Sequence, residues 1–283
     1  MSDPRTFLVT GGNTGIGLAT ATALARGGGR VYIGCRSAER GAAAVGAIRA
    51  ASGSDSVALL PLDLASLASV RDCAAAFLAR DEPLHVLVNN AGVGGQRGLT
   101  ADGFELHFGV NHLGHFALTM LLLDRLKESG RGDQEPGARV VNVSSEVHYS
   151  AKGVDFDAAR RRTSFTGTRE YAVSKLCNVL FTQELARRLG DGAAVSSYAL
   201  HPGVVASDIW RRVPALVRPL VTRRMITTEE GARTSVYCAT SAQVAAQTGL
   251  FYDKCQVRPA SRVATQELAG KLWEHSAGWT GLG

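Results

Sequence analysis

An alternation of short β-branched runs with longer Ala-rich stretches of helical period extends along the whole chain, and it constrains the fold more than any other feature. The short runs read TFLVTG, RVYIGC, SVALLPLDL, LHVLVNNAG, RVVNVSS, AVSSYALHPG and GLFYDK. Between them lie 16–26, 38–51, 67–80, 101–129, 169–189 and 228–239, and a last stretch, 260–276, follows the final run. Strand–helix–strand units close right-handed and set their strands parallel, because a right-twisted strand feeding a helix packs back on its sheet only in that sense. The expectation is an α/β fold with a doubly wound parallel sheet of about seven strands and helices on both faces. Hydrophobic residues make up 45% of the chain and aromatics only 6%, so Val, Leu, Ile and Ala must fill the core. That mixture suits strands buried on both faces.

No repeat, low-complexity tract or linker divides the 283 residues, and one domain spanning 1–283 is expected. Two segments break the alternation, 146–168 after the fifth run and 204–227 after the sixth. Both leave the carboxyl ends of strands, where open α/β sheets bind ligands, and they are the expected walls of a substrate pocket. The net charge of +6 comes from Lys and Arg spread along the chain without an aromatic-basic motif, which argues against nucleic acid. A modest positive excess suits an anionic, phosphorylated cofactor. The stretch 210–225 carries five arginines and no acid. With Trp210, Val213, Leu216, Val217 and Leu220 it reads as a solvated amphipathic lid, in preference to a contact with an acidic substrate group or a peripheral membrane contact.

Cys35, Cys73, Cys177, Cys238 and Cys255 show no CxxC or Cys/His spacing, so reduced thiols, no metal site and a cytoplasmic setting are expected. The chain enters its first strand within a few residues, leaving no room for a signal peptide or anchor. No uninterrupted apolar run approaches the roughly 18 residues of a membrane span.

After FLVT comes GGNTGIGLATATALA. A dinucleotide site needs a tight turn out of the strand, close backbone approach to the pyrophosphate, and close packing of the following helix. Gly11, Gly15 and Gly17 can supply those three roles. Most lone Gly clusters are turns, but this one follows a strand and opens an Ala-rich helix, with the phosphates at the positive end of its dipole. The second run ends IGCRS, where an NAD-selecting protein would place an acid on the ribose hydroxyls. Arg36 stands there instead, a guanidinium suited to a 2′-phosphate, which favours NADP(H) over a merely solvated arginine.

In YAVSK a phenol precedes an ammonium by one helical turn, a pair that on most helices is surface decoration. Its company changes that reading. TGGNTGIG resembles the TGxxxGIG turn of the short-chain dehydrogenase/reductase family, and LDL at 62–64 and NNAG at 89–92 resemble its adenine-side and fourth-strand motifs. VNVSS at 141–145, YAVSK at 171–175 and HPG at 201–203 resemble its serine strand, its YxxxK and its motif after the sixth strand. Six motifs follow one another in the family's order over 7–207. CRS, VNHLGHFAL, VNVSSEVH and SKLCNVLFTQELARRL further resemble the retinol dehydrogenase and WW-domain oxidoreductase branch.

The resemblance implies a single-domain Rossmann-type fold and an NADP(H)-dependent oxidoreductase moving hydride between nicotinamide and a carbonyl or alcohol. A tyrosine with a pKa of about 10 is a poor base near neutrality, and a nearby ammonium favours its phenolate. By resemblance Tyr171 is the acid/base, Lys175 lowers its pKa and holds the nicotinamide ribose, and Ser145 polarises the substrate oxygen. Ser144 would point away, since successive strand residues face opposite sides. Asn111 matches the asparagine that holds a water in a relay with the lysine; a buried Asn bonding backbone is the plainer reading.

Implied cofactor contacts are Gly11, Asn13, Thr14, Gly15, Ile16, Gly17, Arg36, Asp63, Leu64, Asn90, Ala91, Gly92, Tyr171, Lys175, Pro202 and Gly203. Backbone at Val204 and the hydroxyl of Ser207 would replace the threonine that the family commonly places after HPG.

Ser145 and Tyr171 stand 26 residues apart, about twice the common family spacing, with the insertion 146–168 between them. The implied substrate is fairly large and apolar, such as a retinoid, steroid, long-chain aldehyde or aromatic ketone. The start of the chain sets it apart from membrane-bound retinoid enzymes. Alternatives are a protochlorophyllide-reductase-like enzyme and a non-catalytic dinucleotide-sensing or scaffold protein; the joint presence of Ser145, Tyr171 and Lys175 speaks against the second. His107, His112, His115, His148 and His201 show no metal spacing. A homodimer through the YAVSK helix would use Val179, Leu180 and Leu185.

Overall fold

The computed structural model describes residues 4–131, 137–161, 164–203 and 226–283. Among them are eight strands: β1 (Thr6–Thr10), β2 (Arg30–Cys35), β3 (Val57–Pro61), β4 (Val86–Asn89), β5 (Ala138–Val143), β6 (Val195–His201), β7 (Leu250–Asp253) and β8 (Gln256–Arg258). They form one sheet in the order β3-β2-β1-β4-β5-β6-β7-β8. All neighbours are parallel except β7 and β8. The helices are α1 (Gly15–Arg26), α2 (Ala38–Ser52), α3 (Leu67–Leu78), α4 (Leu106–Gly130), α5 (Thr168–Leu189), α6 (Thr228–Thr240) and α7 (Gln266–Thr280).

Side chains alternate across the sheet and build two cores. Leu8, Leu87 and Val140 face one side with Val70 and Phe77 of α3, Phe116 and Leu122 of α4, and Phe181 and Leu185 of α5. Phe7, Val9, Val86, Val88 and Val141 face the other with Leu24 of α1, Ile48 of α2 and Cys238 of α6. The period of two along each strand and the apolar stripe on each helix make this division inevitable once the strands are parallel. Burying so many aliphatic side chains, at roughly 1.5–3 kcal/mol each, is the main force holding the layers together.

Three expectations are corrected. The sheet has eight strands rather than about seven, because β7 returns as β8 through a two-residue turn at Lys254 and Cys255, with φ of 50° and 61°. Such turns normally advertise themselves with Asn or Gly, which tolerate positive φ, and neither is present. The last helix runs Gln266–Thr280 instead of 260–276, started by Thr265, whose side chain accepts from the Leu268 N–H. Val179, Leu180 and Leu185, the face that a possible homodimer through this helix would use, are 1%, 0% and 0% exposed within this one chain and so belong to its core.

α4 begins later than the expected 101–129 and is long and apolar enough to cross a membrane, yet 83% of its apolar window is buried in the fold. It is the central core helix. A wider, π-helical turn at Gly109–Leu113 interrupts it and carries Asn111; such turns cluster at functional sites. β1 and β4 are neighbours whose connections lead in opposite directions along the sheet, so a crevice opens above their carboxyl ends.

Candidate active site

The turn after β1 is shaped by missing side chains. Gly11 and Gly15 have φ of +66° and +56°, the left-handed region that favours glycine. A Cβ on Gly17 would lie 2.4 Å from both the Gly11 carbonyl oxygen and Asn90 Nδ2, so only glycine lets α1 start this close to the strand. Thr14 stands just before α1 in extended conformation without a side-chain cap on the helix, with Asn13 before it and Ile16 on the first turn. NNAG is fastened to the same turn: Asn90 Nδ2 donates to the Thr10 carbonyl at 2.8 Å, and the N–H groups of Asn90 and Ala91 donate to Thr10 Oγ1 at 2.9 Å. Backbone donors at a helix N-terminus and a cradle that a Cβ would fill fit a dinucleotide pyrophosphate.

Around this cradle, Arg36 is the first residue past β2 and is exposed. Asp63 follows β3 and turns its carboxylate inward to accept the Ala65 N–H at 3.0 Å. Leu64 is pressed under α4, with its carbonyl oxygen 2.7 Å from where a Cβ on Gly114 would be. Pro202 and Gly203 follow β6. Val204 and Ser207 lie outside the described residues, as does 210–225.

Across the crevice, β5 and α5 bring Ser145, Tyr171 and Lys175 together. Ser145 caps a short 3₁₀ turn, Glu146–Ser150, by accepting the Val147 N–H at 3.3 Å. Its hydroxyl is close enough to the Tyr171 phenol to favour the phenolate, which brings together residues from the two ends of the insertion. Ser144 points inward and donates to the Lys175 carbonyl at 2.7 Å, tying α5 to β5.

Lys175 Nζ donates to the Val143 carbonyl at 2.9 Å and lies 5.7 Å from the centre of the Tyr171 ring. It also lies 3.5 Å from where a Cβ on Gly92 would be, so NNAG and YAVSK meet here. Asn111 bonds backbone, accepting the Val93 N–H at 2.8 Å, and donates to the Val93 carbonyl at 3.1 Å and to Ser174 Oγ at 2.9 Å.

Burial dominates the electrostatics. Lys175, without a carboxylate among the causes acting on it, is pushed down to about 8 because its charge is costly away from water. Tyr171 is pushed up by burial, and the Ser145 hydroxyl pulls the other way by favouring the phenolate. Lys175 is not among the groups acting on Tyr171, so the lowering expected from it is not seen here.

A cavity of 450 Å³ adjoins Ser145, bounded by Glu146, His201, Pro202, Gly203, Ile226 and Asp253 among others. A larger groove of 720 Å³ runs between α1, α2 and α6 and meets the cofactor turn only at Gly15, so it is not where the reacting groups converge. Sequence reading had not singled out Ser174 or the Val143 carbonyl, which hold Asn111 and Lys175. Both lie inside the motifs VNVSS and YAVSK, but Ser174 stands at a position that YxxxK leaves open, and a backbone acceptor has no sequence signature.

A family model described as short chain dehydrogenase matches residues 5–216. The chain is 43% identical over 282 residues to retinol dehydrogenase 12 of Mus musculus, covering 98% of this chain and 87% of that one. It is 42% identical over 282 residues to retinol dehydrogenase 11 of Homo sapiens, covering 98% and 86%. Among solved structures, an uncharacterized protein from Mycobacterium paratuberculosis superposes with a TM-score of 0.78 at 33% identity, covering 98% of this chain and 94% of that one. The Pseudomonas aeruginosa RhlG/NADP active-site complex gives a TM-score of 0.70 at 28% identity, covering 88% and 94%.

Proposed function

We propose that this chain, which belongs to the short chain dehydrogenase family, is an NADP(H)-dependent oxidoreductase that interconverts a carbonyl and an alcohol on a large apolar substrate of the retinoid class. The observation that carries this reading is the convergence of the Ser145 hydroxyl, the Tyr171 phenol and the Lys175 ammonium on the NNAG loop beside the cofactor turn. When bound, the nicotinamide gives or takes the hydride. The protein's own residues handle the proton and the charge.

In the reductive direction Tyr171 donates its phenolic proton to the substrate oxygen. Burial keeps the phenol protonated, which suits an acid. Ser145 accepts from Val147 and so keeps its own hydrogen available for that oxygen or for Tyr171. Lys175 stays largely protonated below pH 8 and stabilises the phenolate left behind. The Gly11–Gly17 turn and the start of α1 would hold the pyrophosphate, Asn90 to Gly92 and Lys175 the nicotinamide end, and Arg36 the 2′-phosphate.

Retinoid chemistry is supported by the two retinol dehydrogenases above and by an insertion, 146–168, at the mouth of the site. The test is turnover of all-trans-retinal and other apolar aldehydes with NADPH and with NADH. NADPH should be preferred about tenfold or more, and Arg36→Leu should erase most of the preference, as expected for loss of a charge-assisted pair. Tyr171→Phe should lose about 10²–10⁴-fold in kcat with NADPH binding kept. Wild-type turnover surviving in Tyr171→Phe would sink the mechanism, and binding of NADPH without turnover of any aldehyde would favour a dinucleotide sensor.

A further inference from the structure

The peptide unit joining Ser145 to Glu146 is held on both its polar groups by histidine rings. The Ser145 carbonyl accepts from Nδ1 of His148 at 2.7 Å. The Glu146 N–H donates to Nδ1 of His201, at the end of β6, at 3.2 Å. The partners of the other ring nitrogens set the tautomers. Nε2 of His148 accepts the Ser261 N–H at 3.2 Å, so the proton of that ring is on Nδ1. His201 accepts at Nδ1, so its proton is on Nε2, the nitrogen that faces the Glu146 carboxylate at 3.9 Å. Both rings are therefore neutral and in opposite tautomers. His148 comes from the same short turn and His201 from β6, 55 residues along the chain, while the segment before α7 reaches the peptide only through His148.

We propose that His148 and His201 are positioning residues that fix the Ser145 hydroxyl by gripping the peptide behind it, and that the reaction requires the His201 ring to be neutral. The proposal rests on the reading of Ser145 as a group that touches substrate. An imidazolium has two donors and no acceptor, so a proton gained by His201 breaks its bond from Glu146, while one gained by His148 releases Ser261 and leaves the bond to the Ser145 carbonyl in place.

The surroundings keep the rings neutral until the solution is acid. His201 is faced by Glu146, by Asp253 of β7 and by Lys254 of the following turn, and it shares its cavity with Glu230 and Arg233 of α6. His148 is faced by His201 and packs on Tyr149 and Phe251, with ring centres 4.0 and 4.7 Å away. Burial lowers both rings, and for His201 it outweighs the two carboxylates.

The experiment compares His201→Asn with His201→Leu in the full chain. Asn carries an acceptor where the imidazole has Nδ1 but does not titrate, whereas Leu has no acceptor. His201→Asn should keep kcat within about threefold and flatten the acid limb of the kcat–pH profile. His201→Leu should lose about 10- to 100-fold in kcat with KM for NADPH nearly unchanged, the scale of a misplaced reacting group. Long-range ¹H–¹⁵N spectra of the ¹⁵N-histidine protein provide a readout that needs no turnover: at pH 7 they should show His148 as the Nδ1–H and His201 as the Nε2–H tautomer.

Wild-type kcat in His201→Leu, an acid limb unmoved in His201→Asn, or the opposite tautomer at either ring would overturn the proposal. If the wild type turns over no carbonyl substrate, the functional reading fails, and the tautomers still decide whether the grip exists.

Discussion

The turns after β1 and β5 leave the same edge of the sheet on either side of β4, and they treat their backbone in opposite ways. After β1 the chain strips side chains away: a Cβ on Gly11 or Gly17 would collide with its neighbours, and Gly15 takes a positive φ of 56°. After β5 it surrounds the backbone with side chains: His148, His201 and Lys175 bond the Ser145 carbonyl, the Glu146 N–H and the Val143 carbonyl, and Ser144 bonds the Lys175 carbonyl. The first device is built for an anion that any sequence of peptide groups can bind. The second holds a hydroxyl and a phenol in register, which requires partners from β6, α5 and the segment before α7. Cofactor affinity should therefore fail by steric filling, and catalysis by loss of particular hydrogen bonds.

Ser145→Ala should be the sharpest break, lowering kcat by about a hundredfold or more while leaving the melting temperature within a degree or two, because a partly exposed hydroxyl contributes little to stability. A stability loss in place of a rate loss would place Ser145 on the structural side of the comparison.

Acid should come next. His85, His112 and His115 are held down to about 4, 3 and 4 by burial, and His148 and His201 are lowered as well. With folded-state values below the unfolded value near 6.5, their contribution is complete above that pH and is lost as pH falls toward 4 and 3. The urea midpoint should be flat from pH 8 to 7 and fall steeply between pH 6 and 4. A midpoint constant down to pH 4 would contradict the burial of these rings.

Gly17→Val should cost roughly 1–3 kcal/mol by overpacking and reduce NADPH binding below detection, while the tautomers of His148 and His201 stay unchanged. Ser144→Ala should cost about 1 kcal/mol of stability by removing a buried bond to the Lys175 carbonyl, with a smaller effect on kcat than Ser145→Ala. The adjacent serines would then separate structure from chemistry. Gly46→Ala is the control for glycine itself. It sits in α2 with no heavy atom within 4 Å of the added Cβ, and should stabilise by about 0.5–1 kcal/mol without touching NADPH binding.

Much of this was legible in the residues because the relevant physics is local. The alternation announces a parallel sheet, and the spacing of Gly11, Gly15 and Gly17 announces the turn. Ser144 and Ser145 lie just past β5 and differ in orientation because the chain is still extended at Ser145, and successive residues of extended backbone face opposite sides. β8 was hidden because Lys254 and Cys255 adopt positive φ without the residues that usually mark it, at a cost of roughly 1–2 kcal/mol each that the β7–β8 pairing offsets. Val179, Leu180 and Leu185 carried an apolar pattern that serves a core and a dimer face equally well. Only the packing of α5 against its own sheet and helices assigns it to the core.

What the sequence determined by itself is the family, the order of layers and the identity of the groups at the site, since these follow from periodicity and short-range motifs. What the tertiary structure alone decided is the chemical state of those groups: Lys175 near 8, Tyr171 pushed up, and His148 and His201 neutral in opposite tautomers. The reason is that a pKa or a tautomer is set by desolvation and by partners within about 4 Å, and here those partners lie up to 113 residues away along the chain, as Ser261 does from His148.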